Sequence, residues 1–308
     1  MKKIQHFLAS ILIVLFFFAI FTTFLYSLKP NLKVISKSYN KDFLIFDYQL
    51  SKINKSNGLK YVFIGDSSLG NGIDAFYFER YTNIKSSNFA LSDIYGLSGQ
   101  YNLLKKIISK NKQTLDKVFL ITSIYFPLTD HEDEAFFITS NNFKDFLYSK
   151  SKLKFIKHIY QYSIKSFLVE YKFEENKYNL FFNETIFKDY IKQSEKHNLE
   201  AKKISNDMDF SKKIFYLNKM IELCEKHNVK LIKMYGPLYI NKPKEINTYL
   251  HENNKIFEIV KKKNFIKYDE VIRFEEYQLG DQLTHIKPEY KIDITKKYID
   301  FLNSKNLL

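Results

Sequence analysis

The chain opens on one long apolar run and then breaks into short apolar blocks separated by polar stretches. Residues 7–26 carry no charge, and a bilayer-crossing helix needs about 20 such residues. Further on, the blocks 60–64, 84–91, 117–122 and 229–235 are continuous and β-branched, and turn residues bound them. That is the pattern of strands buried on both faces. A weaker fifth block covers 264–268. Between the blocks, apolar positions recur with helical period over 73–80, 99–109, 211–226 and 246–262, and a closing helix covers 288–303. Strands alternating with helices predict an α/β fold: a flavodoxin-like doubly wound sheet of five parallel strands, with its site at the carboxyl ends of the strands.

The same pattern divides the chain. Residues 1–28 read as a short cytoplasmic tail and transmembrane anchor, 29–58 as a polar stalk with an amphipathic patch at 43–48, and 59–308 as the main domain. The third and fourth strands lie too far apart for an ordinary crossover, so 130–209 reads as a mainly helical insertion. Its lysine- and aromatic-rich stretch, 143–173, is expected to pack on the domain; the alternative is a lid, or a face that meets the membrane or a partner. A cleaved signal peptide is the alternative to the anchor, but 22–27 holds no small-x-small site. Lys2 and Lys3 precede the span, and Lys29, Lys33, Lys37 and Lys41 follow it. A head this short stays cytoplasmic, which places the domain on the extracytoplasmic side of a single span in the cytoplasmic membrane.

Composition changes the picture in two places. The formal net charge is +14, yet Arg80 and Arg273 are the only arginines, and the lysines are scattered. A nucleic-acid groove favours arginine for stacking and bidentate phosphate contacts, so no nucleic-acid partner is expected. Attraction to an anionic envelope polymer or lipid fits better. Cys224 is the single cysteine, which excludes an internal disulfide and a thiolate metal cluster. Its neighbours Met220, Ile221 and Leu223 mark the buried face of a helix. No metal or cofactor is expected.

The candidate chemistry begins where the first strand ends, at Gly65-Asp66-Ser67-Ser68. A serine on a tight strand-to-helix turn presents its hydroxyl beside free backbone N–H groups that can hold an oxyanion, and Asp66 is placed to orient the loop. Leu69 stands where a G-x-S-x-G elbow needs glycine. Asn71-Gly72 stand where a phosphate-binding loop needs Lys-Ser/Thr, and the glycine spacing fits no dinucleotide fingerprint. Downstream, Asp281 and His285 lie just before the last helix, with Pro288 suited to its first turn. A histidine there can reach Ser67 while a carboxylate four residues earlier fixes its tautomer. Of the other histidines, His6 is in the tail, and His158, His197, His227 and His251 read as solvated. His131-Glu132-Asp133-Glu134 reads as an acidic loop.

These residues resemble the SGNH/GDSL hydrolase superfamily. Gly65-Asp66-Ser67-Ser68 follows the first strand, Asp281-x-x-x-His285 precedes the last helix, and five strands frame them. The anchor, with Asn88-Phe89-Ala90-Leu91-Ser92 followed by Gly96 and Gly99, is similar to a membrane-anchored branch that includes the alginate O-acetylation and D-alanyl-lipoteichoic acid biosynthesis proteins. The resemblance implies Ser67 as nucleophile, His285 as general base and Asp281 as its orienter. It also implies an oxyanion hole from the Ser67 N–H with further donors, one of them at Gly96 or Gly99. The family's third block, Gly-x-Asn-Asp, is absent here; Ser123, Ile124, Tyr125, Phe126 and Pro127 follow the third strand, leaving Asn88, Ser123 or Tyr125 as substitutes. Asp66 and Ser68 complete the oxyanion and substrate candidates. The acid lies four residues before the histidine, where many members have three. The implied activity is a serine acyltransferase or carbohydrate esterase acting on an extracytoplasmic envelope glycan or polymer, by O-acylation and in particular O-acetylation. Transfer further implies a multispanning acyltransferase partner. The alternatives are a lipase or lysophospholipase, or a catalytically degenerate scaffold subunit.

Overall fold

A computed structural model describes residues 2–27, 43–128, 130–140, 143–168, 209–239, 243–258 and 264–308. Among them lie ten α-helices and one sheet. In chain order these are α1 (Lys2–Ser27), α2 (Phe43–Lys55), β1 (Tyr61–Gly65), α3 (Ser67–Gly72), α4 (Ala75–Thr82), β2 (Ser86–Ala90), α5 (Gly96–Asn111) and β3 (Lys117–Thr122). Then follow α6 (Glu132–Thr139), α7 (Lys152–Leu168), α8 (Ser211–Lys226), β4 (Lys230–Tyr235), α9 (Pro243–Phe257), β5 (Phe265–Lys267) and α10 (Lys291–Ser304).

The fold is α/β. All five strands are parallel, in the order β2-β1-β3-β4-β5. Successive side chains of a strand point to opposite faces, and each face meets its own core. Val62, Ile64, Val118, Leu120 and Leu231 join a core with α2, α5, α6, α7 and α8. Phe63, Phe119, Ile121, Ile232 and Met234 join a second core with α4 and α10. Burial on both sides is why these strands read as unbroken apolar runs.

Two expected boundaries move. The stretch 43–58, read as part of a stalk, is mostly helix α2, and Ile45, Phe46 and Ile53 enter the first core. Gln49 Nε2 donates to Ala90 O (2.7 Å) and Lys52 Nζ to Asn88 O (2.6 Å), fastening α2 to β2. The acidic stretch at 132–134 is not a surface loop; it forms the first turn of α6, with Glu132 fully buried. Glu132 accepts from Leu97 N and Ser98 N at the start of α5, and from Lys213 Nζ at 3.0 Å. The insertion thus packs directly on the main domain, and its stretch 169–208 lies outside the described residues.

Of α1, residues Ile4–Leu25 are long and apolar enough to cross a membrane; a signal sequence passes the same test. Cys224 is buried on α8, and burial pushes its thiol up to about 12.

Candidate active site

The site forms where β1 ends. Gly65 closes the strand so tightly against β3 that a Cβ there would stand 1.6 Å from Ile121 O. Only glycine fits such an approach. Gln100 Nε2 donates to Gly65 O from α5, and Leu91 N donates to the same carbonyl. The chain then passes directly into α3, with Asp66 as its N-cap. This helix begins at Ser67 itself, earlier than the helix expected from residue 73, and it stops at Ile73 before α4.

Asp66 is buried and accepts three hydrogen bonds: from Ser68 N (3.0 Å), Ser68 Oγ (2.5 Å) and Ser123 N (2.8 Å). The last ties the end of β1 to the end of β3. Burial pushes this carboxyl above the ordinary carboxylate range, against the lowering effect of those hydrogen bonds. Behind Ser68, a Cβ at position 236 would stand 2.1 Å from Ser68 Oγ, so Gly236 lets the chain after β4 close over α3. Ser67, the neighbour of this packed serine, stays partly exposed.

The loop carrying the histidine is equally fixed. Leu279 and Ile286 form an antiparallel bridge, Gly280 N donates to His285 O and Lys287 N to Gln278 O. Tyr239 N donates to Leu283 O, anchoring the loop tip to the chain beyond β4. Asp281 and His285 are both buried at the loop's end, 4% and 6% exposed. His285 Nδ1 lies 2.6 Å from Asp281 Oδ1, and Nε2 lies 2.8 Å from Ser67 Oγ. An ionised carboxylate only accepts, so the imidazole proton faces Asp281 and the Nε2 lone pair faces the serine hydroxyl. Residues separated by 218 positions are thereby joined in one acid–base–hydroxyl relay.

The remaining candidates do other work. Asn88 is fully buried; its Nδ2 donates to Leu69 O and Ile73 O, and its Oδ1 accepts from Ala90 N. The Gly96 N–H donates to Asp93 O, and a Cβ at position 96 would collide with the Glu132 carboxylate. Gly99 lies against Tyr95, and Ser123 gives its N–H to Asp66. Tyr125 sets its ring edge-on to Tyr249, with centroids 4.8 Å apart. Asn88, the Gly96 N–H and the Ser123 amide each make hydrogen bonds within the protein. The Ser67 N–H lies in the first turn of α3.

Sequence reasoning missed Gln100 and Gly236. Gln100 sits one residue after Gly99, and a buried amide near a strand end is a weak signal. Gly236, directly before Pro237, is a readable turn whose partner is not.

No family model matches the chain, and no curated protein matches it.

Proposed function

We propose that the chain is a membrane-anchored serine acyltransferase or esterase of SGNH/GDSL type, acting on an extracytoplasmic envelope polysaccharide or polymer. The observation that carries this reading is the unbroken relay from Asp281 through His285 to Ser67. The strand order β2-β1-β3-β4-β5 supports it, being that of flavodoxin-like doubly wound sheets, which place sites at strand carboxyl ends. β1, which delivers Ser67, is followed in space by β3 on one side and β2 on the other, the point where that order reverses.

In the proposed reaction, the Ser67 oxygen attacks the acyl carbonyl as Nε2 of His285 takes its proton. The oxyanion draws on the Ser67 N–H and the start of α3. Collapse of the tetrahedral intermediate expels the leaving oxygen, which receives the proton from His285. A polymer hydroxyl or water then attacks the acyl-serine with His285 again as base, and Ser67 is regenerated. Asp281 holds the imidazole orientation throughout. For transfer, a multispanning acyltransferase partner supplies the acyl group.

The test is p-nitrophenyl acetate turnover by the full chain in detergent and by Ser67→Ala. The expected result is turnover by the wild type and its loss in a folded variant. Equal turnover by both would remove Ser67 from the chemistry. A folded wild type with no turnover would favour the scaffold reading, which draws on the engaged donors at Asn88 and Gly96.

A further inference from the structure

Among the described residues, the insertion meets the apolar N-terminal helix through α7. Tyr160 of α7 packs on Phe18 and Phe21 of α1, with ring centroids 5.9 and 6.1 Å away. Its hydroxyl lies 2.8 Å from Thr22 Oγ1, which in turn donates to Phe18 O, so Tyr160 is the donor. Thr22 is 3% exposed, and Leu25 joins the first core. The end of α1 is thus packed against the domain.

These contacts lie inside the apolar span, which runs to Leu25. At the helical rise, Thr22 is about 5 Å and Phe18 about 10 Å inside Leu25, so Tyr160 packs in the outer third of the apolar span. There its ring sits in apolar surroundings with its hydroxyl paired, as a buried tyrosine requires.

α7 carries two apolar stripes. Phe155 and Ile159, four apart, are buried in the first core. Leu153, Ile156 and Tyr160 lie on a different face at helical spacing. Leu153, 81% exposed, extends the Tyr160 stripe beyond α1, and Leu147 and Tyr148 just upstream are 67% and 49% exposed. Lys157 is also exposed on this helix, whereas the Lys152 ammonium is held by Leu147 O (2.7 Å) and Ser149 O (2.6 Å). Lys154 pairs with Asp133 at 3.1 Å. Lysine stems can cover apolar surface while their ammonium groups reach phosphates.

We propose that α7 is an interfacial helix: its Leu153–Ile156–Tyr160 stripe and Lys157 dock the domain on the surface of an anionic phospholipid bilayer. Continuity with the α1 contact brings the stripe to the bilayer, and Lys157 sets the headgroup charge. The inference rests on α1 crossing that bilayer, not on the chemistry at Ser67.

The experiment uses the full chain, with Cys224→Ser, in vesicles of phosphatidylcholine and phosphatidylglycerol. Single cysteines replace Phe16, Leu153 or Asp300 and carry an environment-sensitive fluorophore, and brominated phosphatidylcholine serves as quencher. Asp300 is exposed on α10, across the sheet from α7. The expected result is blue-shifted, quenched emission from positions 16 and 153, with position 300 unchanged. Quenching at 153 should fall when Lys157 is replaced by Gln. Quenching at 16 but not at 153 would overturn the docking while leaving the anchor. No quenching at 16 would overturn the anchor and the docking with it. Equal quenching at 153 in phosphatidylcholine alone would overturn the requirement for anionic headgroups.

Discussion

Two buried acid–base pairs, on opposite sides of β1, show what separates a strut from a relay. Glu132 and Lys213 are 0% and 3% exposed and 3.0 Å apart. Among the described residues, the partners of that carboxylate are two N–H groups at the start of α5 and one ammonium. Asp281 and His285 are also buried, and closer, at 2.6 Å. Their chain continues to a serine hydroxyl that is partly exposed, on a residue whose neighbour Ser68 is locked away. Here the pair whose far end reaches a partly exposed hydroxyl is the candidate for chemistry, and the enclosed pair holds helices together.

The contrast is sharpest for the acids themselves. Asp281→Asn keeps the shape but turns the imidazole to the wrong tautomer, so kcat should fall by about 10⁴-fold with little change in stability. Steady-state turnover alongside thermal unfolding checks this, and a mutant of near-normal kcat would reduce Asp281 to a spectator. Glu132→Ala should do the reverse. It leaves the Lys213 ammonium buried without its partner, at a cost of about 3–5 kcal/mol. Denaturant unfolding should register that loss while turnover per folded molecule stays within a small factor. A large fall in kcat without unfolding would erase the distinction between the two pairs.

A third buried group sharpens the comparison more gently. Lys233 on β4 is fully buried, its Nζ donating to Met234 O and lying 4.0 Å from the Tyr235 ring centroid. Burial holds its pKa down at about 7, from an ordinary 10.5. Between those values the unfolded chain binds a proton that the folded one does not. Stability from this group therefore rises with pH, by about 1.4 kcal/mol per unit from pH 7 toward pH 10. Lys233→Met removes the proton and should flatten the slope by that amount. Parallel slopes for the two proteins would show that the lysine stays charged in the fold.

Much of the framework was legible because the physics is local. The strand expected at 117–122 is β3 to the residue, and those at 60–64 and 229–235 fall within one residue of β1 and β4. Buried parallel strands read as apolar runs. Ser67 and His285 were legible from what flanks them, a strand on one side and a closing helix on the other. Helix α2 was not, since Ile45, Phe46 and Ile53 are interleaved with polar residues that read as a stalk. The start of α3 at Ser67 was hidden by Ser-Ser-Leu-Gly-Asn-Gly, poor helix formers that an N-capping Asp66 and burial overrule. Glu132 and Lys213, 81 positions apart, carry no local sign of each other. Nor does Asn88 reveal that its amide belongs to Leu69 and Ile73.

The central claim is that the relay arms Ser67 in particular, among neighbours of the same type. Treating the full chain with a fluorophosphonate and mapping the adduct by peptide mass spectrometry tests it directly. The adduct is expected on Ser67, absent from Ser68 and Ser123, and lost in His285→Ala. A folded protein that takes no adduct, or takes it at Ser67 as readily without His285, would contradict it.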